Sequence, residues 1–273
     1  MIGIIGTICG DAIGVPYEFY QGSNIKTKDF ELITNDSYIS DDSVHTLAVA
    51  DWLLHTDRSA QALSELIVSY TKKYQGYGYG KMLYDMCVLK GKLEPYNSFG
   101  NGSAMRVSPV AWVTDNFDEC MQLAELSASV SHNHPEGIKG AKATAAAIWM
   151  NRHKYTKEAI KSYIEDEFKY NLTTTLDQIR PGYRFDVSCQ GSVPQAIRCW
   201  LESTDYEDCI RNAVSLGGDA DTQAAIAGSI CAANTDTDVP DEIIMKLFFD
   251  DNDRRFTNEL RDIYNEFHEK YEN

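Results

Sequence analysis

Two short acidic turns hold the residues of this sequence that are best suited to chemistry. Ser40-Asp41-Asp42-Ser43 stands directly before a helical pattern, and Asp219-Ala220-Asp221-Thr222 follows Gly217-Gly218. A lone Asp or Ser at such a place is ordinarily a helix N-cap, and either turn alone fits that role. Two neighbouring aspartates with flanking hydroxyls exceed what capping requires, and their charges would repel each other without a cation. Oxygen ligands of this kind suit Mg²⁺ or Mn²⁺. Four aspartates also balance two divalent cations in formal charge.

Two glycine-rich loops are the next candidates. Gly76-Tyr77-Gly78-Tyr79-Gly80 and Phe99-Gly100-Asn101-Gly102-Ser103 each lead into a predicted helix. Backbone amides in such loops bind phosphate groups well. Neither loop has the GK[ST] of a Walker motif, and neither is a dinucleotide fingerprint after a strand. Plain turns are the alternative interpretation of both.

The segment Ser131-His132-Asn133-His134-Pro135 offers two histidines. Zinc ligands on a helix would need histidines four residues apart, and the proline predicts a loop instead. These histidines are therefore either structural or part of a polar lining. No serine or cysteine has the local signature of an activated nucleophile, so covalent catalysis is not favoured.

The elements that position these residues are predicted to be helices. Helix-forming residues dominate most windows, apolar residues recur at helical spacing in Val44 to Leu54, and strand-like alternation is scarce. A small-residue helix is predicted in the segment Gly3 to Phe19, with its end at Val15-Pro16. An alanine-rich helix is predicted from Thr222 to Ala233. A further helix is predicted from Gln195 to Glu202, after a Gly191–Pro194 loop. The sequence thus predicts an all-α protein, an orthogonal bundle of about ten or more helices in a single domain over residues 1–273.

The amino-acid composition limits the classes of function that fit this chain. Twenty-five basic and 41 acidic residues give a net charge of −16, which argues against a non-specific nucleic-acid surface. An anionic substrate stays possible, because bound cations can reverse the local field. Seven cysteines without a CxxC spacing fit a reducing compartment. The N-terminus has no basic region of a signal peptide, and no apolar run reaches the roughly 18 residues of a membrane span. We therefore expect a cytoplasmic monomer without membrane contact.

Five segments in order resemble the ADP-ribosylglycohydrolase family, which includes dinitrogen-reductase-activating glycohydrolase and the eukaryotic ADP-ribosyl-acceptor hydrolases. The resemblance extends from Gly6 to about Asn234. Each segment alone is weak, and the five in order are specific. They are Gly10-Asp11-Ala12-Ile13-Gly14-Val15-Pro16-Tyr17-Glu18-Phe19, Ser40-Asp41-Asp42-Ser43, Gly100-Asn101-Gly102-Ser103-Ala104-Met105-Arg106, His132-Asn133-His134-Pro135 and Gly217-Gly218-Asp219-Ala220-Asp221-Thr222.

The resemblance implies an all-α fold with two Mg²⁺ ions, or Mn²⁺, in a cleft. Its motifs make six residues metal ligands: Ser40, Asp41, Asp42, Asp219, Asp221 and Thr222. The family usually has threonine where Ser40 and Ser43 stand, and the hydroxyl is retained here. By the same resemblance Glu18 lies near the cleft, Gly76 to Gly80 wraps the distal phosphate, Phe99 to Met105 packs on the adenosine side, and His132 lines the ribose.

The implied reaction is hydrolysis at the anomeric carbon of the distal ribose of ADP-ribose. An ADP-ribosylated protein or a small ADP-ribose conjugate would be the substrate. Bound metal ions would orient the sugar and acidify a water. Glu18, Asp219 or Asp221 could take the proton of that water, and Asp41 is the fourth catalytic candidate. Loops outside this set, notably Gln21 to Tyr38 and Tyr183 to Pro194, would choose the acceptor.

Two other functions fit parts of the pattern. Isoprenoid synthases and helical Mg²⁺-dependent phosphohydrolases also place carboxylates on helices, but they favour DDxxD-like spacing, which Ser43-Val44-His45 interrupts. A non-catalytic descendant that binds ADP-ribose or serves a structural role is the second alternative. The intact aspartates argue against it.

Overall fold

Helices make up the architecture. The computed structural model describes residues 1–18, 25–249 and 255–272, and within these ranges it contains fourteen α-helices and no β-strand. An isolated antiparallel bridge joins Gly100 to Ser188. The all-α prediction is therefore confirmed. The helices are α1 Ile5–Gly14, α2 Asp41–His55, α3 Ala60–Lys73, α4 Lys81–Tyr84, α5 Gly102–Met105, α6 Phe117–Ser129, α7 Pro135–Arg152, α8 Lys157–Phe168, α9 Leu176–Ile179, α10 Cys189–Leu201, α11 Tyr206–Val214, α12 Ala220–Cys231, α13 Asp241–Phe248 and α14 Asn258–Tyr271.

The described residues also contain shorter helical turns. A π-helical turn, Asp85–Lys90, continues α4 directly. The 3₁₀ turns are Val15–Tyr17, Ser108–Ala111 and Thr235–Thr237. Among the described helices, none combines the length and the apolar character that a membrane span requires.

The centre of the fold is α12, whose residues are all buried. Helix α1, also buried along its whole length, packs against it. Glycines in α1 permit this close approach. A Cβ at Gly10 would lie 2.3 Å from the Ala224 carbonyl oxygen, and one at Gly14 would lie 2.4 Å from the Asp221 Cα. Any side chain there would force the two helices apart. The glycines therefore bring α1 beside the start of α12.

The predicted loop Gly191–Pro194 is wrong, because these residues lie inside α10. Ser188 caps that helix by accepting a hydrogen bond from the Gly191 amide at 3.1 Å. Pro194 lacks the amide that an interior helix position uses. Its side chain is buried, and we attribute its tolerance to that packing. Helix α13 and the π-helical turn were not anticipated from the sequence.

The first predicted helix ends within one residue of the predicted end at Val15-Pro16. Helix α1 stops at Gly14, and the 3₁₀ turn Val15–Tyr17 carries the chain to Glu18. Pro16 fits this turn because its fixed φ suits the first positions of a helical turn. Phe19, the last residue of the predicted segment, lies outside the described residues.

Candidate functional site

The two acidic turns meet although 180 residues separate Asp42 from Thr222. The Thr222 hydroxyl donates a hydrogen bond to Asp42 Oδ2 at 3.2 Å. Ser40 caps α2 by accepting from the Asp42 amide at 3.2 Å. Asp219 stands at the N-cap position of α12 and makes no side-chain capping bond. Capping therefore accounts for Ser40 and leaves the aspartates free for another role.

Asp11 is a buried member of this site that our sequence analysis did not select. Its carboxylate accepts hydrogen bonds from the Ser40 amide at 2.8 Å, the Ser40 hydroxyl at 2.7 Å and the Ser43 amide at 3.1 Å. The Ser43 hydroxyl donates to it as well. These four bonds hold the first acidic turn in place. The sequence did carry a signal for Asp11. This carboxylate lies within the small-residue segment Gly10-Asp11-Ala12, which is typical of a closely packed helix and not of an exposed one.

The carboxylates form two overlapping groups. Oxygens of Asp11, Asp42 and Asp221 lie within 4.8 Å of one another, and so do oxygens of Glu18, Asp219 and Asp221. Asp221 belongs to both groups. Asp41 belongs to neither, but its Oδ1 points toward the glycine-rich loop, where a Cβ on Gly78 would lie 3.3 Å away.

Burial makes these negative charges costly. It is the main reason that the pKa of Asp11 rises to about 7 and that of Glu18 to about 8, and the charge of Asp221 raises both further. Burial and Asp221 likewise raise the pKa values of Asp42 and Asp219 well above the usual range of a carboxyl. A cluster of this kind is stable only with protons or with a cation.

The donor set fits a divalent cation. It consists of carboxylate and hydroxyl oxygens, the ligands that Mg²⁺ and Mn²⁺ prefer. The Asp42 Oδ1 atom is buried and has no hydrogen-bond partner among the described residues. A buried carboxylate oxygen without a partner is strongly unfavourable, and a bound cation would satisfy it. Ser40, Asp42, Asp219, Asp221 and Thr222 all face the same cavity.

This cavity has a volume of about 660 Å³. The acidic cluster forms part of its lining. The first glycine-rich loop, the second glycine-rich loop and the histidine segment contribute further parts. Its lining residues are Val15, Glu18, Tyr38, Ser40, Asp41, Asp42, His45, Gly76, Tyr77, Gly78, Gly80, Lys81, Met82, Leu83, Tyr96, Ser98, Gly100, Asn101, Gly102, Met105, Arg106, His132, Phe185, Val187, Asp219, Asp221 and Thr222.

Most of the predicted substrate-binding residues line this cavity. Asn101 does so while its amide donates to Asp219 Oδ2 at 2.6 Å and to the Ser192 hydroxyl at 3.0 Å. It therefore also orients a carboxylate of the second turn. The lining members of the predicted set are Gly76, Tyr77, Gly78, Gly80, Gly100, Asn101, Gly102, Met105 and His132.

Three predicted substrate-binding residues lie away from the cavity lining. The Ser103 hydroxyl is buried and donates to the Gly137 carbonyl at 2.7 Å. Phe99 is 49 % exposed and packs its ring edge against His134. Tyr79 turns inward, where its ring lies 5.0 Å from that of His45. The direction of a side chain within a loop depends on tertiary packing, which a motif does not encode.

Several lining residues were missed in the sequence analysis. His45 comes from the second turn of α2, and Arg106 follows α5. Phe185 and Val187, at 41 % and 51 % exposure, belong to the segment that we expected to choose the acceptor. From the other such segment, Tyr38 reaches the lining, whereas its first part, residues 21–24, lies outside the described residues.

Comparisons with known proteins agree with this geometry. A family model described as ADP-ribosylglycohydrolase matches residues 2–273. ADP-ribosylhydrolase ARH3 of Mus musculus is 24 % identical and aligns with 84 % of this chain and 82 % of its own length. ADP-ribosylarginine hydrolase Tri1 of Pseudomonas putida (strain GB-1) is 23 % identical, over 95 % of this chain and 76 % of that protein. A solved structure titled "ADP-ribosylglycohydrolase-related protein complex" superposes with a TM-score of 0.74 at 18 % identity, covering 97 % and 95 % of the two chains.

Proposed function

The chain belongs to the ADP-ribosylglycohydrolase family, and we propose on that premise that it is a magnesium-dependent hydrolase of ADP-ribose conjugates. The reaction adds water across the glycosidic bond between ADP-ribose and an acceptor, and it releases free ADP-ribose. The acceptor is a side chain of a mono-ADP-ribosylated protein or a related small conjugate.

The observation that carries this proposal is the pair of overlapping carboxylate groups beside one cavity. Asp11, Asp42 and Asp221 make one group, and Glu18, Asp219 and Asp221 make the other. Two groups that share one carboxylate match the ligand pattern of two adjacent divalent cations. Ser40, Asp41 and Thr222 border the same space and complete the proposed ligand set. Several neighbouring carboxylates also favour Mg²⁺ or Mn²⁺ over a single monovalent ion.

Bound cations would supply Lewis acidity that orients the ribose hydroxyls and acidifies a water. The residues of the chain accept the proton and position the water and the sugar. Glu18 is half-buried at the edge of the cluster, where it can accept the proton of that water. Asp11 holds the first turn by four hydrogen bonds, and Asn101 orients Asp219. This fixed arrangement positions water and sugar before reaction.

The first glycine-rich loop, Gly76 to Gly80, can bind the phosphates of the substrate next to the acidic cluster. Gly76 and Gly78 have positive φ values of 84° and 103°, a conformation that turns successive amides toward one side. The Asp41 amide donates to the Tyr77 carbonyl at 2.8 Å, which ties the loop to the first acidic turn. Backbone amides can therefore bind the pyrophosphate next to the sugar site.

A turnover assay tests the proposal directly. Peptides mono-ADP-ribosylated on arginine or serine would be incubated with the protein in Mg²⁺ and in chelator, and free ADP-ribose would be measured. We expect release only with the metal, and Asp41→Ala and Asp219→Ala should each abolish it. Asp177→Ala is the matched control, because the Asp177 side chain is 92 % exposed.

Each alternative function has its own outcome in this assay. Release of phosphate or pyrophosphate instead of ADP-ribose would favour a phosphohydrolase. Tight binding of ADP-ribose without turnover of any conjugate would favour a non-catalytic binding protein. Full activity of Asp219→Ala would overturn the assignment of the acidic cluster.

A further inference from the structure

The first glycine-rich loop has little in its own residues that would hold it in one shape. Gly76, Gly78 and Gly80 are exposed and have no side chain to pack. Because glycine samples more backbone conformations than other residues, ordering such a loop costs conformational entropy. A loop that binds a ligand through its backbone binds more tightly when this cost is met before the ligand arrives. Contacts from outside the loop are therefore the place to look for that ordering.

Arg255 makes two such contacts from a distant part of the chain. Its Nη1 donates to the Gly76 carbonyl at 2.8 Å. Its own backbone carbonyl accepts from the Tyr77 hydroxyl at 2.9 Å. The backbone of Arg255 has a φ of 64°, which is uncommon for a residue with a side chain, and the bond from Tyr77 holds the carbonyl of this conformation. The loop and Arg255 thus fix each other.

Aromatic rings hold the guanidinium of Arg255 in place. Its Cζ lies 3.9 Å from the ring centroid of Tyr38 and 5.3 Å from that of Tyr77. A planar guanidinium is attracted to the face of a tyrosine ring, and its donors stay free at the edge. Tyr38 and Tyr77 both line the cavity. Arg255 is therefore anchored on two residues of the cavity lining while it holds the Gly76 carbonyl.

Glu259, in the first turn of α14, makes a second tie to the same region. Its Oε2 accepts from the Tyr74 hydroxyl at 3.1 Å and lies 2.5 Å from Lys73 Nζ. Lys73 is the last residue of α3, and Tyr74 leads from that helix into the loop. The rings of Tyr74 and Tyr77 are 5.9 Å apart. The start of α14 and the residues before it thus contact the loop at its entry and at its first glycine.

These bonds set the direction of backbone amides in the loop. In a trans peptide the carbonyl of one residue and the amide of the next point in opposite directions. Arg255 holds the Gly76 carbonyl, and the Asp41 amide holds the Tyr77 carbonyl at 2.8 Å. The orientations of the Tyr77 and Gly78 amides are fixed as a result. The Gly78 amide has no hydrogen-bond partner among the described residues, so it can donate to an anion.

We propose that Arg255 is a positioning residue for the diphosphate of the substrate. It fixes the peptide between Gly76 and Tyr77, and the loop then presents its amides to the phosphates in an arrangement formed before binding. Arg255 acts through the loop and not by contact with a phosphate. The ligand in this assignment rests on the proposed function, whereas the effect of Arg255 on the shape of the loop does not.

Steady-state kinetics in Mg²⁺ give the first test. Arg255→Met removes the charge and the bond to Gly76 but keeps a long side chain beside Tyr38. Its KM for a mono-ADP-ribosylated peptide should rise about tenfold, the effect of about one well-placed hydrogen bond. Its kcat should stay within about twofold, because the loop binds substrate and transition state alike. Arg255→Lys keeps a charged donor and should recover most of the loss. An unchanged KM in Arg255→Met would overturn the inference.

Arg261→Met is the matched control. Arg261 lies on α14 and donates to the carbonyls of Phe256 at 2.7 Å and Phe248 at 2.8 Å. The substitution removes the same charge and comparable bonds from the same part of the chain, but none of these bonds goes to the loop. Its KM should equal that of the wild type. An equal rise in both variants would overturn the inference, because loss of charge or of helix stability would then explain it.

Spectra of the ligand-free protein test whether Arg255 acts through the loop. In ¹H–¹⁵N correlation spectra of protein labelled with ¹⁵N-glycine, Arg255→Met should shift the amide resonances of Gly76 and Gly78. Arg261→Met should leave them in place. A raised KM with unshifted resonances would overturn the positioning role, because Arg255 would then act on the phosphates directly.

Calorimetric titration with ADP separates this inference from the proposed function. ADP carries the diphosphate but lacks the distal ribose, so its binding does not depend on hydrolysis. Arg255→Met should bind ADP about tenfold more weakly than the wild type, whereas adenosine, which has no phosphate, should bind both equally. A wild type that hydrolysed conjugates beside an Arg255→Met that bound ADP normally would overturn the role of Arg255 alone. A wild type that released no ADP-ribose would overturn the proposed function, and the glycine spectra and the ADP titration would still decide the role of Arg255.

Discussion

The acidic cluster and the two cavity-lining histidines respond to burial in opposite ways. Burial raises the pKa values of Asp42, Asp219 and Asp221, and repulsion from Asp221 raises those of Asp42 and Asp219 further. At His45 and His132, burial and the charge of Arg106 lower the pKa values. The cluster thus gathers groups that cannot all be charged, whereas the histidines are neutral at pH 7.

This difference separates the roles of the two groups. The acidic cluster is electrostatically incomplete without cations or protons, and Asp42 Oδ1, which has no partner among the described residues, marks the deficit. His45 and His132 are hydrogen-bonded to the hydroxyls of Thr71 and Ser131. We therefore expect metal ions, and a rise of pH above neutrality, to act strongly on the acidic cluster and weakly on the histidines. Four measurements test that contrast.

The largest effect should follow from Asp221→Asn, because Asp221 belongs to both carboxylate groups. Hydrolysis should fall about 1000-fold, equivalent to about 4 kcal/mol of transition-state stabilisation. The metal-free variant should melt at a higher temperature than the metal-free wild type, since one buried charge is removed. Initial rates and thermal melts would show both effects. Activity within tenfold of the wild type, with Asp177→Asn as control, would contradict the proposed site.

The second effect is stabilisation by Mg²⁺. At a concentration 100-fold above its dissociation constant, the ion should stabilise the wild type by about 2.7 kcal/mol, raising the melting temperature by roughly 5–10 °C. Asp221→Asn should lose this shift, whereas Ser131→Ala should keep it. If both variants kept the shift, the acidic cluster and the histidines would not differ in the way described.

The third effect is the pH dependence of the metal-free protein. Asp11, with a pKa of about 7, and Glu18, with one of about 8, bind more protons in the folded state than in the unfolded state. Their contribution to the free energy of unfolding is therefore lost as pH rises from about 4 through 8. His45 contributes oppositely, because its lowered pKa costs stability only below about 6.5.

The informative window is thus pH 6.5 to 8, above the range in which His45 costs stability. Urea unfolding in chelator should show stability falling across this window. Saturating Mg²⁺ should remove or reverse the trend, because metal ions replace the protons. A metal-free protein that became more stable from pH 6.5 to 8 would contradict the raised pKa values.

The smallest effect concerns Ser103, whose hydroxyl is bound to the Gly137 carbonyl rather than directed at the cavity. Ser103→Ala should destabilise the protein by about 1 kcal/mol, the usual net value of one hydrogen bond. Its KM should stay within twofold of the wild type. A tenfold rise in KM at unchanged stability would show instead that Ser103 binds the substrate.

The sequence predicted correctly those features that depend on residue types close together in the chain. The helical class follows from the spacing of apolar residues, and the two acidic turns follow from paired carboxylates before helices. The Gly191–Pro194 segment shows the limit, because proline and glycine predicted a loop where Ser188 capping and burial maintain a helix.

The sequence by itself determined the fold class, the acidic turns and the glycine-rich loops, since each depends on residue types close together in the chain. The tertiary structure alone decided that Asp11 joins Asp42 and Asp221, because that contact requires the close packing of α1 on α12 that Gly10 and Gly14 permit. It also decided the inward turn of Tyr79 and the burial of His45 and His132 near Arg106. Such features arise from partners distant in sequence, and local pattern carries no information about them.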